Sequence, residues 1–259
     1  MSSSKIAKDT IFNILVHILP LIFGLISIPL LMKNIGFERF GLVSLAWSLI
    51  GYFGFFDLGL GKSLTKFVAD HGREKDHPLQ FVEIRKTIFV AFCFSIFIAL
   101  AFAFFADPFV NKILKINSAL KSEFISGLEL LAVCIPFTVL ASCLRGVFEG
   151  SNNFKRSNWS ILLTGIGIYI LPAFISSWQP TLPFIFKGIL AARIIGVLVL
   201  LDRSLFIDSS QRSAGIRGIF GYGGWVAALN LIGPFLTYLD RWMIGALISS
   251  TIMAYYLTP

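Results

Sequence analysis

Charge is scarce in this chain: only 14% of its 259 residues are Asp, Glu, Lys or Arg, against about 25% in an ordinary soluble domain. A chain so poor in charge, and 56% hydrophobic, cannot clothe itself in hydrated side chains. That excludes a single soluble globular domain. Disorder is excluded as well, because it needs few aromatics and dense charge, and 15% of this chain is aromatic. Cysteine is equally sparse. Cys93, Cys134 and Cys143 all stand inside apolar runs and read as small buried residues, not as a disulfide framework. His and Cys are not grouped at ligand spacing anywhere, so no metal site is expected. No GxxxxGK[ST], GxGxxG or GxSxG stretch occurs. Nucleotide hydrolysis and serine-hydrolase chemistry therefore have no sequence support. The expectation is a protein that is not an enzyme and uses no cofactor.

What the chain has instead is long apolar runs and 27 Phe. A helix needs about 20 apolar residues to cross a bilayer. Seven such segments can be read: Ile11–Met32, Phe40–Gly61, Thr87–Ala106, Phe124–Phe148, Trp159–Trp178, Leu182–Leu201 and Gly218–Leu239. Only helices satisfy each backbone polar group within its own segment in lipid. The fold class is therefore an all-α polytopic transmembrane bundle. The first run is too long for a signal-peptide core, and no small-x-small cleavage site follows it. It reads as an uncleaved span.

The net charge of +8 would point to nucleic acid in a soluble protein. Here the excess is better read as loop charge that sets orientation. With seven spans, 14 of the 22 Lys and Arg fall on the side of the N-terminus and 6 on the other. The positive-inside rule then places the N-terminus in the cytoplasm. Two loops carry apolar residues at helical spacing. Phe109, Val110, Ile113, Leu114 and Ile116 read as an amphipathic helix on the outer membrane surface. Leu64, Phe67 and Val68, followed by Phe81, Val82 and Ile84, read as interfacial anchors on the cytoplasmic side. Trp159 and Trp178 bracket the fifth span as belt residues.

Function in a membrane protein sits where costly groups are tolerated. A charge at a helix centre costs at least about 2.5–3.5 kcal/mol on insertion scales. Arg193 lies about eleven residues into the sixth span, near the midplane, and is expected to face a wet cavity or a buried acid. Lys187, in the same span, and Arg145, near the end of the fourth, have a plainer alternative, since both can snorkel. Asp57, Glu129 and His17 are further ionisable groups inside spans. Asp240 and Arg241 stand at the end of the seventh, where they can form a simple terminal pair. Together these charges describe a bundle around a polar, water-accessible cavity. Prolines interrupt the spans at Pro20, Pro29, Pro136, Pro172 and Pro234. Each removes a helix hydrogen bond and favours a kink. Pro20 and Pro29 make the first span the best candidate for a bending gate.

Ile35-Gly36-Phe37-Glu38-Arg39-Phe40-Gly41 joins the first two spans, and Phe56-Asp57-Leu58-Gly59-Leu60-Gly61-Lys62-Ser63-Leu64 closes the second, with Phe67-Val68-Ala69 after it. This resembles the IGxExFG … DLGLGxxLxxxVA signature of the polysaccharide-biosynthesis flippases, the oligosaccharide-lipid translocases of bacterial O-antigen and capsule pathways. Their superfamily also holds multidrug extruders and the lipid II flippase. Tyr238-Leu239-Asp240-Arg241-Trp242-Met243-Ile244-Gly245, with Ala254-Tyr255-Tyr256, is similar to the family's seventh-span signature. The resemblance implies twelve or fourteen spans in two similar lobes. Residues 1–203 would then be a six-helix N-terminal lobe, 204–217 a cytoplasmic linker, and 218–259 the first helix of a C-terminally truncated second lobe. It also implies a cargo of undecaprenyl-pyrophosphate-linked oligosaccharide, moved from the cytoplasmic to the outer leaflet of the bacterial inner membrane by alternating access. Membrane lipids, a polysaccharide polymerase and other membrane proteins of the pathway would be its neighbours, and nucleic acid would not.

On chemical grounds Arg193, Lys187 and Arg145 are the candidates for meeting an anionic headgroup, because Arg pairs with phosphates bidentately. Asp57 and Asp240 match signature positions and are expected to pair with cations or steady a gate. Asp57, Glu129, His17, Asp240 and Arg241 are candidates for gating or ion coupling, and Pro20, Pro29 and Pro234 for helix kinks. One rival is a cation-coupled multidrug antiporter, which would want acidic cavity residues. Another is a membrane glycosyltransferase, polymerase or ligase, which would want a large outer loop.

Overall fold

In lipid each helix must satisfy its own backbone. The computed structural model describes residues 3–71, 81–114, 116–201 and 243. Among the described residues every regular element is helical. These are α1 (Ser3–Phe53), a short 3-10 turn (Gly54–Asp57), α2 (Leu60–His71), α3 (Phe81–Lys112), α4 (Ser118–Ala132), α5 (Cys134–Gly150), α6 (Phe154–Ser176) and α7 (Leu182–Leu200). The expected linker 204–217, the seventh span and Pro234, Asp240 and Arg241 lie outside the described residues.

Among the described residues, five stretches are long and apolar enough to cross a membrane: Phe12–Phe53, Val82–Lys112, Ser118–Gly150, Phe154–Ser176 and Leu182–Leu200. The first holds two expected spans. At 51 residues and 1.5 Å per residue, α1 would run about 76 Å if straight. That is more than twice the roughly 30 Å hydrocarbon core. Instead it folds back at Gly36, whose φ of 79° and ψ of 165° leave the helical region. The proof of reversal is Tyr169. Its ring lies 3.5 Å from the Cβ position of Gly24 on the first limb and 5.3 Å, centroid to centroid, from Trp47 on the second. A straight helix would hold those two residues about 34 Å apart. Only glycine is at ease at such backbone angles, and nothing within 4 Å of its Cβ position asks for a small residue there. Gly36 therefore replaces the expected loop. Helical angles run through Pro20 and Pro29, and Gly36 is the interruption within α1.

The fourth expected span is likewise two helices. α4 ends at Ala132 and α5 begins at Cys134. Pro136 has no N–H to give the carbonyl of Ala132, and its ring crowds that carbonyl. The hydrogen bonding is interrupted one turn before the proline, while Val133 keeps helical angles (φ −64°, ψ −21°) and Ser118–Gly150 remains one membrane-length stretch.

Direction along the bundle follows from contacts. The first limb of α1 runs alongside α6 in parallel, with Phe12 on Trp159, Pro20 on Gly165 and Gly24 on Tyr169. α6 and α7 form an antiparallel hairpin: Ser160 Oγ donates to the Gly196 carbonyl near one end, and Gly188 meets Leu171 and Pro172 near the other. α4 runs parallel to α7, with Glu123 at Leu182 and Gly127 at Phe186. One end of the bundle thus carries Gly36, and the opposite end carries Asp57 and the start of α6.

Small residues allow the close crossings. A Cβ on Gly146 would fall on the carbonyl of Gly61, so α2 and α5 approach backbone to backbone along Ser142, Gly146 and Gly150. Gly188, Ala192 and Gly196 do the same for α7 on α6. Such small stripes at four-residue spacing are how membrane helices pack without a hydrophobic driving force between them. The outward faces are apolar. Leu21, Leu25, Ile26, Phe89, Phe97, Leu100, Phe104 and Phe105 are all exposed, as lipid-facing residues are.

Two expectations on the amphipathic segments are corrected. Phe109 and Val110 belong to the last turns of α3, and no separate surface helix forms. Val110, Leu114 and Ile116 are buried in the main core with Leu120 and Phe124. Their helical spacing reflects the inner face of a span end. α2 is amphipathic, but Leu64 and Val68 pack on Val147 and Phe148 of α5; the apolar face is spent inside the bundle.

Candidate functional site

Arg193 stands eleven residues along α7, about 16 Å from its start and so about halfway through a membrane core. It is half-buried, and its Nε is enclosed without a hydrogen-bond partner. The parallel register of α4 and α7 brings it level with Cys134. Cys134 is the first residue of α5, directly after Val133, where Pro136 interrupts the helix hydrogen bonding while the backbone stays helical. Arg145, five residues before the end of α5, is within electrostatic range of Arg193, Asp57 and Glu149.

Asp57 organises the end of this region. Its Oδ1 accepts the Gly59 N–H at 2.7 Å, and its Oδ2 accepts the Ser142 hydroxyl at 2.5 Å. The first bond is an Asx turn, and it holds Leu58 and Gly59 at positive φ, 51° and 68°. The chain thereby swings from α1 into α2, and the same carboxylate clamps that corner to α5. The Asp-Leu-Gly of the signature is thus a corner with a built-in clasp. Asp57 also lies within reach of the charges of Arg145 and Lys62.

The other candidates are dispersed. Lys187 is exposed, with Nζ 4.2 Å from the centre of the Phe184 ring, and does not join Arg193. His17 is exposed on the first limb of α1, and Glu129 is exposed on α4. Glu129 continues an exposed polar stripe with Ser122 and Ser126, unlike the apolar surface elsewhere.

Sequence reading passed over the cluster at the Gly36 end. Glu123 Oε2 accepts Arg39 Nε and Nη2, both at 3.1 Å, while Oε1 accepts the backbone N–H of Leu182 at 2.6 Å. One carboxylate ties the second limb of α1, α4 and the first turn of α7. Beside it, Asn34 Nδ2 donates to Ser176 Oγ at 2.9 Å and Ser177 Oγ at 3.2 Å. Arg39 belongs to the quoted signature, but Glu123 fell one residue outside an apolar run, where acids are ordinary. At the other end, a cavity of about 320 Å³ is lined by Asn153, Lys155, Arg156, Trp159 and Val199. Arg156 is held there by the carbonyls of Val199 and Leu201 and by the Phe148 ring. Among the described residues no group of His, Cys, Asp and Glu is arranged to hold a metal.

The polysaccharide biosynthesis protein family matches residues 6–258. A curated relative from Shigella flexneri, a "Putative O-antigen transporter", is 29% identical over 262 residues, covering 98% of this chain and 61% of the relative. The chain thus spans about three fifths of that relative's length. Helices at membrane-spanning length and a family match over nearly its whole length converge: this chain is a multi-pass membrane protein and belongs to the polysaccharide biosynthesis protein family.

Proposed function

We propose that this chain belongs to a flippase. In this reading it moves undecaprenyl-pyrophosphate-linked oligosaccharide from the cytoplasmic to the outer leaflet of the bacterial inner membrane, by alternating access. The observation that carries the reading is Arg193, a half-buried guanidinium about halfway along α7 with an unpartnered Nε, beside the proline-interrupted turn between α4 and α5. Transporters place their cargo near the midplane. A pyrophosphate is strongly anionic. Guanidinium offers it paired donors, and Arg193 has a donor to spare. Arg145 extends the positive region toward the Asp57 end.

The charge bias of the loops puts the N-terminus, and with it the Asp57 end, in the cytoplasm. Cargo then enters past Arg145 and leaves at the end latched by Glu123. That latch must open for release, and its three-helix reach suits a gate. The polar stripe of Ser122, Ser126 and Glu129 gives a sugar-bearing headgroup a wettable wall, while the lipid tail stays against the apolar exterior. The protein breaks no bond of its cargo, so it acts as a transporter and not an enzyme. A multidrug antiporter is disfavoured because the embedded midplane charge is cationic and repels cationic drugs. In a cell whose glycan export depends on the full-length protein, Arg193→Ala should abolish surface display of the glycan while the protein stays in the membrane. Normal display in that variant would sink the assignment.

A further inference from the structure

The corner where α5, α6 and α7 meet holds the cavity of about 320 Å³, at the end of the bundle that carries Asp57. Asn153, Lys155, Arg156, Trp159 and Val199 line it, and none of these is an acid. Its walls are set by contacts within the protein. The Asn153 N–H donates to the Phe148 carbonyl at 2.8 Å and fixes the turn between α5 and α6. Arg156 Nε donates to the Val199 carbonyl at 2.8 Å, and its Nη2 donates to the carbonyl of Leu201. Its guanidinium carbon lies 4.9 Å from the centre of the Phe148 ring. The Trp159 ring lies 5.7 Å from that of Phe12 on α1. The lining is thus tied to α1, α5 and α7.

Two cations without an acid in the lining attract an anion. Arg156 supplies its charge from a fixed position, and its bonds to α7 carbonyls leave that charge in place. Lys155 is exposed and brings a compact ammonium on a flexible stem. Glu149, at the end of α5, accepts the hydroxyl of Ser157 at 2.6 Å and is coupled to Arg145. Depth narrows the class of anion. Lys155 and Arg156 stand in the first turn of the apolar stretch Phe154–Ser176, and Val199 in the last turn of Leu182–Leu200. The cavity therefore sits at the edge of the hydrocarbon. Phe154, Trp159, Leu198 and Leu201 around it are exposed, as lipid-facing residues are, and Trp159 stands one turn inside, where aromatic belts lie. Basic pockets between membrane helices on the cytoplasmic side hold anionic headgroups, and the orientation proposed above puts this end there.

We propose that this cavity binds the phosphodiester headgroup of an anionic membrane phospholipid. Lys155 and Arg156 face the phosphate, and the acyl chains run beside the exposed Trp159 and Leu198. Arg156 also holds the last carbonyls of α7, so the bound headgroup steadies the corner of three helices. The site lies apart from Arg193 and does not depend on which cargo the protein moves.

The test titrates the full-length protein, in neutral detergent, with short-chain phosphatidylglycerol or with phosphatidylcholine of the same chains, and counts bound lipid by native mass spectrometry. One phosphatidylglycerol should bind in strong preference to phosphatidylcholine. Lys155→Gln should weaken it about fivefold, the effect of one cation near a membrane surface, and Lys155→Arg should restore it. Lys86→Gln removes another exposed cation and should change nothing. Equal binding of the two lipids overturns the proposal, as does wild-type affinity in Lys155→Gln. An equal loss in Lys86→Gln shows diffuse surface charge and overturns it too. Two competitors separate the sources of phosphate. Displacement by an equal concentration of inorganic phosphate would reveal a site for the free anion, and tighter binding of undecaprenyl pyrophosphate would reveal a station for cargo; either result overturns the phospholipid assignment.

Discussion

Asp57 joins a sharp corner of the chain to a distant helix, and removing it has a calculable cost. Asp57→Ala deletes two hydrogen bonds to a carboxylate, from Gly59 N–H at 2.7 Å and Ser142 Oγ at 2.5 Å. Hydrogen bonds to charged groups contribute about 1.5–3 kcal/mol each. With Asp57 only 7% exposed, solvent screens them little. The Ser142 hydroxyl can turn to a carbonyl of its own helix, which recovers part of its bond, whereas the Gly59 N–H is left enclosed. The net loss is about 3–5 kcal/mol. Asp57→Asn keeps an acceptor for one of the two donors and should lose about half as much. A double-mutant cycle with Ser142→Ala isolates the bond between the corner and α5, with an expected coupling of about 1.5–2.5 kcal/mol. That exceeds the ~0.6 kcal/mol average for interhelical hydrogen bonds in a membrane protein, because here one partner is a carboxylate. The measurement is equilibrium unfolding of the full-length protein in mixed micelles. A coupling at or below ~0.5 kcal/mol would show that the clasp is incidental and refute the reasoning.

Glu123→Ala cuts a three-helix tie. The half-exposed Arg39 pair contributes about 1 kcal/mol and the N–H of Leu182 about 1 kcal/mol more. Thermal unfolding should register a loss near 2 kcal/mol, and cysteine accessibility at Asn34→Cys should rise as the Gly36 end opens; unchanged labelling would remove Glu123 from any gate. Gly36→Ala meets no atom within 4 Å, so its cost is backbone strain alone, about 1–3 kcal/mol. Placing alanine at Gly24 instead, where Tyr169 lies at ordinary contact distance and the angles are helical, should cost less; the reverse order would contradict the fold-back at Gly36.

Membrane class and, among the described residues, the positions of the apolar spans were legible because apolar length is a strong signal. The reversal at Gly36 was not. A loop was expected between Met32 and Phe40 because two spans need a connection, and one glycine supplied it. Pro20 and Pro29 drew attention by residue type, yet the helix runs on through both. Pro136 interrupts the hydrogen bonding between α4 and α5, but Val133 keeps helical angles, and α5 stays packed on α3 and α7 while adding α2. Arg193 was readable as an embedded charge from its depth alone. Its position beside the N-terminus of α5 needed the parallel register of α4 and α7. Glu123 was invisible because it lies at the edge of an apolar run, where a carboxylate is normally solvated, and only packing shows it shared by three helices. The Phe109–Ile116 segment misled because an inner face and a membrane-surface face have the same period.

The central claim is that an interior cation, Arg193, beside the α4–α5 junction receives the anionic headgroup of a lipid-linked glycan. Its most direct test is transbilayer movement of labelled undecaprenyl-pyrophosphate oligosaccharide in proteoliposomes containing the full-length protein. Wild type should move it and Arg193→Ala should not. Arg193→Lys, which keeps the charge but not the paired donors, should fall between them. Equal rates for wild type and Arg193→Ala, with equal reconstitution, would contradict the account.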